Sequence, residues 1–178
     1  MFDDPAHRRK MLFMLPQALA GVVVAGVALR FGRASFEAGV PPGGDVAARL
    51  AFVVRWLAVP GLALLVGVVA AARRGFYAEA IDGTRAPANH ALEINLRYNQ
   101  NTLEQLLLAA IAWLALAASP SAGDGLALVP ASAILFGVGR AAFWIGYLLN
   151  PVGRVLGMTL TIVPTLVAWG LLANAALR

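Results

Sequence analysis

The sequence predicts an all-α integral membrane protein: a four-helix transmembrane bundle preceded by one additional membrane helix at the N-terminus. Three observations carry that prediction. Of the 178 residues, 60% are hydrophobic and only 13% are charged, against roughly a quarter charged in an ordinary soluble domain. Apolar runs repeatedly approach the roughly 20 residues that a helix needs to cross a bilayer. A stretch rich in proline and glycine, Ala34 to Asp45 with Pro41, Pro42, Gly43 and Gly44, separates the first of these runs from the other four, because such residues resist a continuous helix. The same composition excludes a disordered or collagenous chain. The absence of cysteine excludes disulfides, thiolate metal sites and a cysteine nucleophile, so any thiol chemistry has to come from a ligand.

Taken in order, the spans fall near residues 11–29, 50–72, 92–118, 127–149 and 155–177. The first follows Arg8, Arg9 and Lys10, as a secretory signal would. Its apolar stretch is longer than the usual ~7–15 residues and runs into Arg30 without a small-residue cleavage site, so it reads as a retained span. Residues 1–49 are expected to form an N-terminal extension, and residues 50–178 a four-helix membrane domain. The alanines and glycines of the later spans read as close helix packing in lipid. Pro164 is expected to kink the last helix, which a bundle tolerates.

Five spans place the termini on opposite sides. One side carries seven basic residues (Arg8, Arg9, Lys10, Arg73, Arg74, Arg85 and Arg154), and the other carries four (Arg30, Arg33, Arg49 and Arg178). The richer side is expected to be cytoplasmic, which turns the 34–45 linker and the Ser119 to Gly125 turn outward. The formal charge of +5 is dispersed over helix ends and spans with no aromatic-interleaved patch. It reads as membrane topology, and no nucleic-acid partner is expected.

The third span holds the most informative segment, LEINLRYNQNTLEQL from Leu92 to Leu106. Ionisable and amide side chains are costly in lipid and mark functional or interhelical positions. At about 100° per residue, Glu93, Arg97, Asn101 and Glu104 lie within about 80° of one another, with Gln100 beside them. They form one polar stripe. Glu93 and Arg97, four residues apart, can simply pair on the helix surface while Asn101 and Glu104 bond neighbouring helices; that account leaves unexplained why the polar residues continue along one face. Asn95 and Asn99 point elsewhere, toward another interface. Arg140 and Tyr147 share a face of the fourth span, and Arg140 needs a buried partner, for which Glu93 and Glu104 are the candidates. Arg55 reads as a residue snorkelling at the outer end of its span. His7 and His90 are the only histidines, too few for a metal site or triad, and both read as interfacial. Gly137 and Gly139 lack the strand-turn-helix context of a phosphate loop.

The spacing E-x-x-x-R-x-x-x-N-x-x-E at Glu93, Arg97, Asn101 and Glu104 resembles the signature of the MAPEG family, the membrane-associated proteins in eicosanoid and glutathione metabolism. A second stretch agrees: Arg140, Tyr147 and Arg154 in GRAAFWIGYLLNPVGR are similar to the arginine and tyrosine of the family's third helix and the arginine opening its fourth. Arg73, Arg74 and Phe76 resemble the basic end of its first helix. The likeness covers about residues 50–177, as for a bacterial-type member with an extra N-terminal helix. It implies a homotrimer with glutathione as co-substrate near the cytoplasmic face of an inner (plasma) membrane. Arg74, Glu93, Arg97, Asn101, Glu104, Arg140 and Tyr147 would then be the glutathione-binding residues, and Arg154 the catalytic one, with no metal. Glutathione's two carboxylates, ammonium and thiol suit guanidinium forks, a carboxylate such as Glu104, and a cation that favours thiolate.

The chain departs from the pattern at Phe143, where eicosanoid-synthesising members carry a polar aromatic, and at Gln105, where they carry Tyr or Asn. A prostaglandin or leukotriene product is not implied. The expected function is a membrane-bound glutathione transferase or peroxidase for small lipophilic electrophiles drawn from the surrounding membrane lipids. The alternatives are a non-catalytic member that binds glutathione or a lipid-like ligand, or acts as a scaffold, and a carrier. Against a carrier, the polar residues stay at one side of the membrane.

Overall fold

The computed structural model describes residues 5–42, 45–78, 80–82, 89–119 and 125–177, without the side chains of residues 6 and 7. The described residues hold five α-helices, α1 (Pro5–Phe36), α2 (Val46–Ala71), α3 (His90–Ala118), α4 (Val129–Leu149) and α5 (Val155–Ala176), and two short 3-10 turns, Glu37–Gly39 and Ala72–Phe76. All five are long and apolar enough to cross a membrane. The fold is the expected one, a four-helix bundle of α2 to α5 with a further helix before it.

Local chemistry sets the helix ends. Asp45 caps α2 by accepting from the Ala48 N–H at 2.8 Å, and Asn89 caps α3 by accepting from the Leu92 N–H at 3.0 Å, each satisfying an otherwise orphaned donor. Pro130 stands in the first turn of α4, where a missing N–H costs nothing. Asn150 and Pro151 end that helix, and Asn150 Oδ1 accepts from the Val152 N–H at 3.0 Å. The break after α1 is shorter than the 34–45 linker: Ala34, Ser35 and Phe36 stay helical, because the breakers Gly39, Pro41 and Pro42 come only after them. Gly43 and Gly44 lie outside the described residues, as do Arg85, Arg178 and most of the Ser119 to Gly125 turn.

Burial is inverted relative to a soluble protein. Leu19 and Val69 are 66% and 65% exposed, whereas Arg140 is 0% exposed. Such a surface suits lipid, and interior polar side chains such as Asn95, Tyr98 and Arg140 bond backbone carbonyls or other side chains. Helix α4 packs against α5 and α2, and α2 packs against α3. Between them Val53, Trp113, Leu116, Leu126, Val129 and Ala168 form the main apolar core. α1 lies along α5 and α4, joined through small residues: a Cβ on Gly21 would overlap Thr159, and one on Gly32 would overlap Ala131. Small residues of this kind let helix backbones approach in lipid, where apolar surface alone gives no preference for protein over tail.

Arg49, counted from the sequence among the basic residues on the side opposite Arg154, is buried in the bundle. It is 1% exposed, and its Nη2 donates to the carbonyls of Leu116 and Ser119 at 2.9 and 3.0 Å. It thus fastens the start of α2 to the last turn of α3, whose carbonyls lack helical partners and carry the negative end of the helix dipole. Arg49→Leu is expected to destabilise the protein by about 1–3 kcal/mol, the cost of stranding buried acceptors. Thermal unfolding in detergent measures it, and an unchanged midpoint would show that Arg49 does not cap α3.

Candidate functional site

The polar residues of α3 sort onto two faces. On the face toward α2, Asn95 and Asn99 both donate from Nδ2 to the Gly67 carbonyl, at 2.9 and 3.1 Å, and the Tyr98 hydroxyl donates to the Ala63 carbonyl at 2.9 Å. This is the separate interface expected of Asn95 and Asn99. It fits because residue 67 is glycine, since a Cβ there would run into Asn99 and Tyr98.

The second face carries the stripe. Glu93 accepts from Arg97 Nη2 at 2.7 Å and Nε at 3.1 Å, the surface pair that the i, i+4 spacing allows. Arg97 keeps 61% of its side chain exposed and lies close enough to Tyr147 for the two side chains to interact electrostatically. The Arg154 guanidinium sits over the same ring, 4.7 Å from its centroid. Tyr147 packs edge-on against Phe143 at 5.8 Å. Glu93, Arg97, Tyr147 and Arg154, drawn from α3, α4 and the start of α5, therefore form one cluster at one end of the bundle.

Arg154 has two properties that an anion site needs. No carboxylate among the described residues pairs with it, so its charge is held only by the aromatic face. It also stands immediately before α5, as that helix's N-cap residue, so its charge adds to the positive end of the helix dipole.

Arg140 lies deeper and its partners correct the expectation of a buried acid. Nη1 donates to Asn101 Oδ1 at 2.8 Å, and Nη2 donates to Thr161 Oγ1 at 2.6 Å and to the Gly157 carbonyl at 3.4 Å. The guanidinium also lies 4.8 Å from the Phe143 centroid. Neither Glu93 nor Glu104 reaches it. Neutral acceptors and ring faces meet several guanidinium donors at once, and bring no second ion into the membrane to be desolvated. Arg140 ties α3, α4 and α5 together, and through Asn101 it sets the rotation of the stripe.

Glu104 is exposed and accepts from Gln100 Nε2 at 2.8 Å, so no buried cation depends on it. Arg74 donates from Nε to the Ala80 carbonyl at 3.1 Å, and Arg73 from Nη2 to the Ala91 carbonyl at 2.9 Å. No contact joins Arg74 to the cluster within one chain among the described residues. Gln105 is buried, with its carbonyl oxygen unpartnered. The sequence reading missed Thr161 and Gly157, because a threonine and a backbone carbonyl in an apolar span give no signal until the helices are set side by side. Phe143, read as the loss of a polar contact, forms the shelf between Arg140 and Tyr147, and Tyr98 extends that layer by stacking on Trp144 at 4.7 Å.

The sequence profile of the MAPEG family matches residues 13–174. The match takes in most of α1 as well as α2 to α5, and so extends upstream of the 50–177 stretch whose motifs carry the resemblance. No curated protein and no solved structure matches the chain. A family match over nearly the whole length, with five helices fit to span a bilayer, leads to one conclusion: the chain is a multi-pass integral membrane protein and belongs to the MAPEG family.

Proposed function

We propose that the protein binds glutathione at the cytoplasmic end of the bundle and directs its thiolate at lipophilic electrophiles arriving from the membrane. The observation that carries this reading is the convergence of Arg97 and Arg154 on Tyr147, with Arg154 free of any carboxylate at the start of α5 among the described residues. Arg97 offers exposed donors to a glutathione carboxylate, and Glu104 offers an exposed acceptor to the ammonium. The cation at residue 154 holds the sulfur as thiolate. That sulfur forms a bond to an electrophilic carbon as the leaving group departs. With a hydroperoxide it attacks the terminal oxygen, the O–O bond breaks as the alcohol leaves, and the thiol of a second glutathione displaces water from the resulting sulfenic acid to give the disulfide.

The assembly belongs to the same proposal. Glu93, Arg97, Gln100, Glu104, Leu107, Ile111, Leu114 and Ala118 recur at alternating steps of four and three along α3, and most are exposed in the single chain. A heptad stripe of that kind suits packing against copies of itself. In a homotrimer a neighbouring chain would supply Arg74 to the cluster, where its own chain does not. Arg140 fits a structural part better than a direct glutathione contact, because it is fully buried and engaged with Asn101, Thr161 and Gly157. We assign residues 50–178 to the domain that carries the site and residues 1–49 to an extension flanking it. The basic ends of α1, α2 and α5 support placing the site on the cytoplasmic side of an inner membrane. A non-catalytic member would keep the Glu93–Arg97 pair and bind glutathione without activating it.

Conjugation of glutathione to an aryl halide, followed with the purified protein, tests the reading. Saturable turnover is expected. Glu104→Gln is expected to raise the KM for glutathione about tenfold and to leave kcat within about twofold, the pattern of a lost ground-state contact. Turnover no faster than the uncatalysed reaction, from protein that binds glutathione, would favour the non-catalytic reading.

A further inference from the structure

α1 carries Arg8, Arg9 and Lys10 close to its N-terminal end, with no acidic residue in its first turn. That is the wrong charge for the end of a helix where the dipole is positive. None of the three pairs with a carboxylate among the described residues. Arg9 and Lys10 instead line a cavity of about 360 Å³, together with Phe13 of α1 and Asn150, Pro151 and Val152 of the α4–α5 turn. That volume lies within the range of small-molecule sites. Only apolar residues and one glutamine separate Lys10 from Arg30 apart from Pro16, a stretch of about 30 Å as helix. This length matches the hydrocarbon core, so Arg9 and Lys10 stand at headgroup level.

We propose that this cavity binds an anionic phospholipid. Its two cations would hold the headgroup phosphate, and Phe13, Pro151 and Val152 would meet the glycerol backbone and the start of an acyl chain. Basic pockets between helices at this depth take such headgroups. The occupant is a lipid and not a free anion because the remaining walls, Asn150 apart, are apolar and the cavity opens at headgroup level. The site gives α1 a function that the four-helix bundle lacks. Its far wall is the turn in which Asn150 accepts from the Val152 and Gly153 N–H groups at 3.0 and 2.8 Å, and that turn leads directly into Arg154. A lipid seated there would brace the segment that presents the Arg154 cation.

Native mass spectrometry of the detergent-purified full chain, titrated with dioleoylphosphatidylglycerol or dioleoylphosphatidylcholine, tests the assignment. Retention of phosphatidylglycerol at least tenfold tighter than phosphatidylcholine is expected. R9Q/K10Q is expected to weaken it about tenfold or more, from the contribution of each basic residue near an anionic headgroup. Val152→Trp fills the cavity and leaves both cations in place, so it should abolish the preference without altering charge or membrane insertion. Arg55→Gln, at the far end of α2, should change nothing. Equal retention of the two lipids, or unaltered phosphatidylglycerol binding in both R9Q/K10Q and Val152→Trp, would overturn the proposal. Displacement of the lipid by millimolar inorganic phosphate would overturn it as well, by showing a simple anion site.

Discussion

Arg154→Ala is expected to leave the protein folded and able to bind glutathione while removing most of its thiolate. The guanidinium rests on the face of Tyr147, and its loss strands no carboxylate among the described residues, so the structural cost is small. The electrostatic cost is not small. A fixed cation beside an ionising group favours the charged form by about 1–3 in pKa. Removing it raises the bound thiol's pKa, so the thiolate forms only at higher pH. Turnover at neutral pH should fall about tenfold to hundredfold, and the rising limb of the pH–rate profile should move upward by about 1–2 pH units. Arg154→Lys retains a cation and should recover part of the loss, though without the planar guanidinium that stacks on Tyr147. The ultraviolet absorbance of bound thiolate, titrated against pH, separates this effect from weaker binding. An unshifted titration in Arg154→Ala would remove Arg154 from the chemistry.

The largest structural effect is expected at Gly157. A Cβ added there would overlap Phe143 N, the Gly139 carbonyl oxygen and Phe143 Cα. All three are backbone atoms of α4, which cannot swing aside as a side chain can. Gly157→Val therefore has to force α4 and α5 apart. The separation would break the contact between Arg140 Nη2 and the Gly157 carbonyl and shift the start of α5, where Arg154 stands. A loss of about 3 kcal/mol or more is expected, at or beyond the upper end for overpacked cores, with a fall in folded protein recovered in detergent. Gly170 on the same helix has nothing within 4 Å of an added Cβ, so Gly170→Val should be nearly neutral. Equal stability of the two variants would show that α4 and α5 do not meet through Gly157.

How much of this was legible in the sequence varies with the physics behind each feature. The five helices were legible because a bilayer demands long apolar runs, and the interruptions by proline, glycine and charge are unambiguous. The stripe on α3 was legible because helical period alone aligns Glu93, Arg97, Asn101 and Glu104. The separate face of Asn95 and Asn99 followed from the same geometry. The partners of buried cations were not legible. Arg140 invites a search for an acid, yet Asn101, Thr161, Gly157 and Phe143 surround it. Arg49 reads only as one of four basic residues on one side, and it caps α3. In both cases the acceptors are neutral or belong to the backbone, and no residue type announces them. The packing of α1 on α5 was hidden for a related reason. Gly21, Ala25 and Gly32 signal that something comes close, but they do not say which helix.

The central claim is that the stripe and Arg154 together form a glutathione site. Calorimetric titration of the detergent-purified, fully assembled protein with glutathione tests it most directly, with Arg97→Ala as the comparison. Arg97 is exposed, and among the described residues its one ion pair is with Glu93 of its own helix, so its removal should spare the fold. A charge-assisted contact to a carboxylate contributes about 1.5–3 kcal/mol. Saturable binding by the parent protein is expected, weakened roughly tenfold to hundredfold in Arg97→Ala. The absence of binding by assembled protein, or the same affinity in both, would contradict it.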